Sequence, residues 1–383
     1  MNNSRRTAAF AVLRWLQTKD FPATLLPDGP DRAFVQDLVY TVIRRFRPLH
    51  KVLGVLVTKW PKGELEALLY VGAAQVLYMD AVPDFAAVNE TVEAAKCTPN
   101  RNVAKVVNGV LHNLIRRRDE FKELIVSSPL EERESFPTAL VRRWRERFGE
   151  DGAERLCRWH NEPSVTYLAR RDGTFATLER GRKVSDVPGF KEGEFIVQDP
   201  ATSLAVQMMS VEPGETVLDA CAAPGGKTIQ LAWRGAKVCA CEVNPKRRRR
   251  LAENLDRVGV SAEVVESLES AANFGPYRKV LVDAPCSNTG VIRRRPDARW
   301  NWNEQKLADL VKLQAEILDK AAGLVAAGGA LVYSTCSNET EENAGQVEAF
   351  LSAHRDFSLE DSKESVPFES GNDGAFAARL RKI

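Results

Sequence analysis

The chain has 383 residues, of which 44% are hydrophobic and 28% are charged, as in soluble globular proteins with two or three domains. No apolar run approaches the roughly 20 residues that span a bilayer. The start, Met1-Asn2-Asn3-Ser4-Arg5-Arg6, also lacks the apolar core of a signal peptide. We therefore expect a cytoplasmic protein, and its formal net charge of +2 indicates little about its partners.

The first part of the chain shows apolar side chains at the spacing of amphipathic helices. The clearest runs cover residues 8–16, 34–43, 65–77 and 103–114. Proline and glycine breaks near Pro27-Asp28-Gly29-Pro30, Pro61 and Pro83 separate them. This pattern predicts an all-helical domain over residues 1–126.

The middle of the chain, residues 127–195, has a mixed pattern. A helical stretch around Trp144 is followed by a short polar stretch that contains Gly173, Gly181 and Gly189. We interpret this region as a short intermediate linker subdomain.

Beyond residue 196, short β-rich runs alternate with helical segments. Strands are predicted at residues 216–220, 237–242, 263–266, 280–283 and 330–334, and helices are predicted to begin near residues 227, 245, 303 and 341. This alternation is typical of a parallel sheet with right-handed crossovers. We therefore expect an α/β domain over residues 196–383.

A turn that contains glycine follows the first predicted strand. Its sequence is Val217-Leu218-Asp219-Ala220-Cys221-Ala222-Ala223-Pro224-Gly225-Gly226-Lys227-Thr228. Glycine lets a backbone approach a ligand closely, and parallel sheets bind ligands beyond the carboxyl ends of their strands. The signal is weak alone, and both the Walker spacing and the GxGxxG pattern are absent. Glu242 ends the next strand, where an acid commonly binds ribose hydroxyls, although a surface acid at a strand end explains it equally well.

Two of the seven cysteines are placed unusually. The sequence contains no CxxC pair and only four histidines, which argues against a zinc site. Cys239 and Cys241 lie within a hydrophobic strand and are interpreted as packing residues. Cys286 and Cys336 instead end the runs Val280-Leu281-Val282-Asp283-Ala284-Pro285-Cys286-Ser287 and Ala330-Leu331-Val332-Tyr333-Ser334-Thr335-Cys336-Ser337. Free thiols in a reducing cytosol are either core residues or nucleophiles.

Basic residues occur in five clusters. These are Arg44-Arg45-Phe46-Arg47, Arg116-Arg117-Arg118, Arg142-Arg143-Trp144-Arg145, residues 246–250 and Arg293-Arg294-Arg295. A single basic run is usually a solvated helix face, but five of them favour a polyanionic partner.

The signatures around Cys221, Cys286 and Cys336 resemble those of the RNA cytosine-5 methyltransferases. The rest of the chain narrows this to the bacterial ribosomal RNA small-subunit methyltransferase B family, also called Sun or Fmu. The further segments that carry the resemblance are Ala87-Val88-Asn89-Glu90-Thr91-Val92-Glu93-Ala94, Val107-Asn108-Gly109-Val110-Leu111, Gln198-Asp199-Pro200-Ala201-Thr202-Ser203, Asn338-Glu339-Thr340-Glu341-Glu342-Asn343 and Gly371-Asn372-Asp373-Gly374-Ala375-Phe376. It implies an all-α NusB-like RNA-binding domain followed by a Rossmann-like S-adenosylmethionine-dependent methyltransferase domain.

The resemblance also implies a reaction. Carbon 5 of cytosine is too weak a nucleophile to take a methyl group unaided, so a thiolate first adds to carbon 6 and forms a covalent Cys–RNA intermediate. By resemblance, Cys336 is the nucleophile, Cys286 assists elimination and product release, and Asp283 contacts the ring near nitrogen 3. Lys227 is expected to orient the base or lower a thiol pKa, with a role at the helix start as the alternative.

By the same resemblance, the cofactor is S-adenosylmethionine. Its site is expected to comprise Cys221, Ala222, Ala223, Pro224, Gly225, Gly226, Lys227, Glu242, Ser267 and Asp283. Where the family has a Gly-Asp pair near the adenine, this chain has Glu266-Ser267-Leu268-Glu269. Either Ser267 or a neighbouring glutamate substitutes for that aspartate, or the cofactor binds more weakly.

Two further departures concern the substrate. The segment from Tyr167 to Gly189 looks shorter than the intermediate subdomain of the family, and Thr340 replaces a proline. Arg293, Arg294 and Arg295 are candidate phosphate contacts in the segment after Cys286. We expect a monomer that acts on small-subunit ribosomal RNA and no membrane. Transfer RNA as the substrate, or an RNA-binding assembly factor with a decayed catalytic domain, are the alternatives.

Overall fold

The computed structural model describes residues 3–20, 22–26, 29, 31–100, 102–179 and 181–383. The helices are α1 (Ser4–Thr18), α2 (Arg32–Arg44), α3 (Phe46–Leu56), α4 (Glu64–Tyr78), α5 (Asp84–Lys96), α6 (Asn102–Arg116), α7 (Arg118–Val126), α8 (Leu130–Arg133), α9 (Thr138–Asn161), α10 (Ser203–Met209), α11 (Gly226–Trp233), α12 (Pro245–Val258), α13 (Leu268–Ala271), α14 (Ala298–Asn301), α15 (Glu304–Ala322), α16 (Ala344–Ala353) and α17 (Pro367–Ser370). The strands are β1 (Thr166–Arg170), β2 (Phe175–Leu178), β3 (Phe195–Val197), β4 (Thr216–Asp219), β5 (Lys237–Cys241), β6 (Glu263–Val265), β7 (Tyr277–Asp283), β8 (Val325–Thr335), β9 (Phe357–Ser365) and β10 (Ala375–Lys382). They form two compact units, one running to Glu162 with the insert Arg294–Asn301, the other made of Pro163–Arg293 and Trp302–Ile383.

The first unit is helical, as the apolar spacing predicts. Helix α1 begins after Asn3, whose side chain accepts hydrogen bonds from the second and third backbone N–H groups that follow it. Its core is built from the apolar faces of α1 to α6, with Trp15, Leu38 and Ile43 fully buried. Helices continue beyond residue 126 as far as Asn161, because Leu140, Val141, Trp144 and Leu156 bury one face of α9. The predicted break at Pro27-Asp28-Gly29-Pro30 lies outside the described residues except for Gly29.

A short segment from late in the sequence belongs to this helical unit. Arg299 of α14 is fully buried, and its guanidinium donates to Asn161 Oδ1 at 2.9 Å and to the carbonyl of Ser135 at 3.1 Å. The ring of Phe136 lies 3.9 Å from its Cζ atom. These contacts satisfy the terminal nitrogens of the guanidinium, as burial of a charge requires, whereas Nε makes no hydrogen bond within the described residues. Arg299 therefore anchors Arg294–Asn301, a connection that local sequence patterns cannot predict.

The second unit contains a mostly parallel sheet with the strand order β6-β5-β4-β7-β8-β10-β9. The strands from β6 to β8 are parallel, and β10 runs antiparallel to both of its neighbours. The predicted α/β Rossmann-like architecture is confirmed. Two element bounds differ from the prediction. Strand β8 begins at Val325 rather than near residue 330, and α16 begins at Ala344 rather than near residue 341. The start of β8 is half exposed and rich in alanine and glycine, so it carries no strand signal.

A small antiparallel sheet, β2-β1-β3, occupies part of the region interpreted as a linker. It belongs to the same compact unit as the large sheet. Strands β9 and β10 form the expected final hairpin around α17, and β10 pairs with β8. None of the helices in the described part of the chain combines the length and the apolar character needed to cross a membrane.

Candidate active site

The two cysteines meet at the carboxyl edge of the sheet. Strands β7 and β8 are parallel neighbours, and Asp283 and Ser334 lie side by side near their ends. Cys286 and Cys336 follow these strands, so their side chains come to the same edge. The two sulfur atoms lie 3.3 Å apart. Residues 50 positions apart in the sequence thus form one dithiol site.

Asp283 and Lys227 lie beside the thiols. Lys227 Nζ lies 2.6 Å from Asp283 Oδ2, and the Ser334 hydroxyl donates to Asp283 Oδ1 at 2.9 Å. Burial acts to lower the pKa of Lys227, but the charge and hydrogen bond of Asp283, with the further charges of Cys336 and Asp219, raise it above its usual value. Lys227 is therefore a fixed cation close enough to interact with the sulfur of Cys336.

Asn288 bridges the two cysteine loops, and the sequence did not single it out. Its backbone is left-handed, with φ of 59°, a conformation that asparagine tolerates better than most residues. The Cys336 thiol donates to Asn288 Oδ1 at 3.3 Å, and Asn288 Nδ2 donates to the carbonyl of Cys286 at 2.9 Å. The side chain thus holds Cys336 against the backbone of Cys286.

The two thiols are not equivalent. The hydrogen bond with Cys336, burial, and the negative charges of Cys336 and Glu342 hold the pKa of Cys286 well above its usual value. Since Cys286 retains its proton, it is the less suited of the two thiols to act as a nucleophile.

Close backbone packing fixes the loops that carry the cysteines. The backbone N–H of Gly290 donates to the carbonyl of Cys336 at 3.0 Å, and that of Gly374 donates to the carbonyl of Gly290 at 2.9 Å. A Cβ at Gly290 would lie 2.8 Å from both the Cys336 oxygen and the Gly374 Cα atom. Only glycine permits this approach. The loop after Cys286, the loop after Cys336 and the turn before β10 therefore form one packed unit.

The predicted cofactor loop lies between β4 and α11. Gly225 adopts φ of 111°, which glycine alone adopts without strain, and a Cβ there would lie 2.9 Å from Leu251. Helix α12 braces the loop, because Arg247 and Asn254 donate to the carbonyls of Ala223 and Pro224 at 3.0 and 2.8 Å. Burial raises the pKa of the Cys221 thiol, so Cys221 is a neutral packing residue of this loop.

Asp219 ends β4 below this loop and carries an unsatisfied carboxylate oxygen. The Thr228 hydroxyl donates to Oδ2 at 2.7 Å, whereas the buried Oδ1 makes no hydrogen bond of normal geometry within the described residues. Burial raises the pKa of Asp219 to about 6, with the Thr228 hydrogen bond opposing it and the charge of Asp283 adding to it. An orphaned buried oxygen of this kind fits the cationic group of a ligand, such as the ammonium of an amino acid.

Glu242 lies where the sequence predicts a ribose-binding acid. It follows β5 and is 4% exposed, and its Oε1 accepts from the backbone N–H of Asn244 at 2.8 Å. Arg247 Nε lies 3.4 Å from the other oxygen. The next residue, Val243, is 71% exposed although apolar, and the sequence analysis did not select it. An exposed apolar side chain next to such an acid is suited to cover a flat heterocycle.

Ser267 lies at the end of β6, as predicted, but its hydroxyl is engaged. It accepts a hydrogen bond from the backbone N–H of Ser270 at 3.1 Å and so caps the short helix α13. Glu269 is exposed and lies 3.3 Å from Lys320. The cofactor role of Ser267 therefore stays a prediction that competes with a capping role.

Most of the basic clusters form ion pairs or hydrogen bonds within the protein. Each pairs with a nearby acid or carbonyl: Arg45 with Glu134, Arg118 with Asp84, Arg145 with Glu131, Arg293 with the carbonyl of Pro163, and Arg249 with Glu253. Lys246 and Arg250 of α12 are exposed. Among the described residues, no group of three or more His, Cys, Asp and Glu side chains is arranged to hold a metal ion.

The family models match both parts of the chain. The model described as 16S rRNA methyltransferase RsmB/F matches residues 206–381, and the NusB family model matches residues 2–116. The ribosomal RNA small subunit methyltransferase B of Serratia proteamaculans is 32% identical, with an alignment of 428 positions that covers 100% of this chain and 99% of that protein. Because the alignment exceeds the length of this chain, that relative carries insertions.

Two further proteins are similar over their full lengths. The ribosomal RNA small subunit methyltransferase B of Shewanella oneidensis is 33% identical, with 99% of each chain covered. The crystal structure of PH0851 has a TM-score of 0.80 at 24% identity and covers 99% of this chain and 98% of its own, so it shares the fold. The chain belongs to the ribosomal RNA small subunit methyltransferase B family.

Proposed function

We propose that this protein methylates carbon 5 of a cytosine in small-subunit ribosomal RNA through a covalent cysteine–RNA intermediate. The contact of 3.3 Å between the Cys286 and Cys336 sulfur atoms carries the proposal. The choice of substrate is supported by the relatives, which are named small-subunit ribosomal RNA methyltransferases. Such a thiol pair beside a carboxylate and a lysine suits addition to a pyrimidine ring better than disulfide exchange, because the site lies at the ligand-binding edge of a Rossmann-like sheet.

Cys336 acts as the nucleophile. Its thiolate adds to carbon 6 of the cytosine, forming a C–S bond and shifting the ring electrons toward carbon 5. Carbon 5 would then take the methyl group as the S–CH3 bond of the sulfonium breaks, which leaves the neutral sulfide of S-adenosylhomocysteine. After transfer, the carbon 5 proton is removed, the double bond re-forms and the C–S bond breaks, which returns the thiolate. The Lys227 cation near this sulfur stabilises the thiolate at both ends of the cycle.

Cys286 assists the elimination step. Its thiol retains its proton next to the Cys336 sulfur, so it can exchange protons within the closed site as the adduct breaks down. Asp283 lies at the same edge, held between Lys227 and Ser334, and contacts the cytosine ring near nitrogen 3. These contacts fix its carboxylate in one orientation, which a ring contact requires.

The loop Cys221-Ala222-Ala223-Pro224-Gly225-Gly226-Lys227 and Glu242 hold S-adenosylmethionine, which supplies an electrophilic methyl group when bound. Glu242 would bind the ribose hydroxyls, Val243 would cover the adenine, and Asp219 Oδ1 would accept from the ammonium. The orphaned oxygen of Asp219 and the glycine turn support this assignment. Ser267 would contribute near the adenine, and Asp283 would serve both the cofactor and the cytosine.

The helical residues 1–126 are proposed to bind RNA, with residues 127–195 as the intermediate part and 196–383 as the catalytic domain. The NusB family match over residues 2–116 supports the first assignment. We propose that the protein acts as a monomer in the cytoplasm, where its substrate is made. A flexible or unstacked target is required, because carbon 6 can be reached only when the base leaves its stack.

The proposal predicts transfer of labelled methyl groups from S-adenosylmethionine to unmodified small-subunit ribosomal RNA. Nuclease digestion should recover the label as 5-methylcytosine at one site, and transfer RNA serves as the competing substrate in the same assay. Label on transfer RNA alone would keep the chemistry and overturn the substrate. RNA binding without any label, at saturating cofactor, would instead support an assembly factor with a decayed catalytic domain.

Cofactor affinity is expected to depend on the ionisation of Asp219. Its raised pKa of about 6 means that the carboxyl is neutral below that pH and anionic above it. The attraction for an ammonium is therefore lost as pH falls, and the Kd for S-adenosylmethionine should rise roughly 10-fold between pH 7.5 and pH 5. Calorimetric titration across this range measures it. Asp219→Asn should bind weakly at both pH values, and a pH dependence retained in this variant would refute the assignment.

A further inference from the structure

Glu342 is a fully buried carboxylate directly behind the two thiols. It follows Cys336 by six residues, between β8 and α16. Its Oε1 accepts from the backbone N–H of Ser287 at 2.8 Å and from Gln314 Nε2 at 3.0 Å. Its Oε2 accepts from the hydroxyls of both Ser287 and Ser337. Four donors therefore satisfy this one carboxylate, which matches its full acceptor capacity.

The donors come from both cysteine loops. Ser287 directly follows Cys286, and Ser337 directly follows Cys336. One carboxylate thus joins the residue next to each thiol, and the hydroxyl oxygens of the two serines lie 3.1 Å apart. Hydrogen bonds to a charged acceptor are about twice as strong as neutral ones. A rigid clamp of this kind sets the distance between the two sulfur atoms.

The clamp is itself held from the core side. Gln314 of α15 is fully buried, and its Nε2 also donates to the carbonyl of Pro285 at 2.9 Å. The Tyr333 hydroxyl lies within hydrogen-bond distance of Gln314 Oε1 and of the Glu342 carbonyl, at 3.2 and 2.7 Å. Groups of α15 and β8 therefore help to fix the position of Glu342, in addition to the donors from the loops it joins.

We propose that Glu342 is the positioning residue of the dithiol site, which holds the two cysteine loops in register. This inference rests on the proposed function and adds the group that makes the two thiols different. Glu342 touches neither sulfur through a hydrogen bond within the described residues, so it acts through Ser287, Ser337 and its charge.

The charge of Glu342 acts on Cys286 directly. It is one of the causes that raise the pKa of that thiol, after the hydrogen bond with Cys336 and burial. The other titratable groups near Cys286 are Cys336 and Tyr333, carried by β8 or the loop that follows it, and Asp283 and Lys227, which lie beside the thiols. Removing the negative charge at residue 342 should therefore let Cys286 ionise at lower pH.

The test is Glu342→Gln, with Glu341→Gln as the matched control, because Glu341 is the adjacent but exposed glutamate. Rates of iodoacetamide alkylation at Cys286 and Cys336 are measured separately by mass spectrometry of the full-length protein, without RNA, across pH 6 to 10. In Glu342→Gln the pH midpoint for Cys286 should move down, and Glu341→Gln should match the wild type. An unchanged midpoint would overturn the electrostatic part of the proposal.

Methyl transfer tests the geometric part. Displacement of a reacting group by about 1 Å costs on the order of 100-fold, so kcat should fall by about that factor in Glu342→Gln, with KM for the cofactor unchanged. A normal kcat would overturn the positioning role. Ser287→Ala combined with Ser337→Ala removes two donors but leaves the charge, so kcat should fall while the Cys286 midpoint stays near the wild-type value. If Glu342→Gln fails to fold, the kcat of this double serine variant tests the positioning role instead.

The thiol-alkylation and methyl-transfer measurements also separate this inference from the proposed function. Thiol alkylation needs neither RNA nor cofactor, so a shifted Cys286 midpoint in a protein that methylates no RNA would leave the clamp in place and overturn only the function. Active protein with identical thiol titration and kcat in Glu342→Gln would overturn only the clamp.

Discussion

Replacing Cys336 with alanine is expected to abolish methyl transfer, whereas Cys286→Ala should leave the protein covalently joined to its RNA. Without the Cys336 thiolate nothing activates carbon 5, and the loss should be roughly 10⁴-fold or more, as for other deleted nucleophiles. Without Cys286, the first half of the reaction still proceeds on Cys336. The adduct then breaks down slowly, because the proton donor 3.3 Å from the reacting sulfur is missing.

Denaturing gels with end-labelled RNA and S-adenosylmethionine measure both effects in one experiment. Cys286→Ala should give a retarded RNA–protein band that protease removes, Cys336→Ala should give none, and the double variant should also give none. Cys97→Ala is the control, because Cys97 is an exposed thiol of the helical unit. If the adduct accumulates in Cys336→Ala instead, the roles of the two cysteines are reversed. If neither variant traps RNA and both lose activity equally, Cys286 has no separate role in elimination.

The sequence predicted the parts of this site that depend on local order along the chain. Strand-like runs predicted to end at Asp283 and Ser334 placed Cys286 and Cys336 at one edge of a parallel sheet, and the structure brings their sulfur atoms into contact. Lys227 was placed at the start of a helix after the first strand, where it meets Asp283. These positions can be predicted from the order of the strands and from the rule that parallel sheets bind ligands beyond the carboxyl ends of their strands.

The remaining parts depend on contacts between distant segments or on burial, and no local pattern reports them. Asn288 looks like an ordinary turn residue in the sequence, whereas in the structure its side chain joins the Cys336 thiol to the backbone carbonyl of Cys286. Glu342 reads as one of several glutamates in Asn338-Glu339-Thr340-Glu341-Glu342-Asn343, and only its complete burial separates it from Glu341. No sequence pattern singles out Arg299, which is a buried anchor of the helical unit.

The same distinction applies to the charges of the chain. Five basic clusters favoured a polyanionic partner, but many of their arginines form intramolecular ion pairs or bind backbone carbonyls. The amino-acid composition gives the number of charged side chains, but it does not show how many of them are neutralised by neighbouring groups in the fold. The proposed RNA binding is therefore supported by the NusB family match and by the names of the relatives, and not by the number of arginines.

Gly374→Ala is expected to disable the site although residue 374 carries no functional group. A Cβ there would lie 2.6 Å from the Gly290 Cα atom and 2.6 Å from Asn338 Oδ1. The Gly290 contact is with backbone, which cannot rotate away as a flexible side chain can. The loop after Cys286 must therefore move relative to the loop after Cys336, whose carbonyl binds the Gly290 N–H at 3.0 Å.

Two measurements follow from this packing. Overfilling a close-packed contact costs about 1–3 kcal/mol, so urea unfolding of the α/β unit should show a loss of that size. A displacement of about 1 Å between the thiols should lower kcat roughly 100-fold, while the Kd for S-adenosylmethionine, whose proposed loop lies between β4 and α11, stays close to the wild-type value.

Gly323→Ala is the matched control for this prediction. Gly323 has helical backbone angles, φ of −63° and ψ of −21°, and a Cβ there would lie 3.5 Å from the carbonyl of Lys320, an ordinary contact. This variant should therefore keep both stability and kcat. A Gly374→Ala protein with normal kcat would mean that the cysteine loops tolerate displacement, and the spacing of the two sulfur atoms would then not be what limits the reaction. A loss of kcat without loss of stability would show that the contact between Gly290 and Gly374 serves the geometry of the site more than the fold.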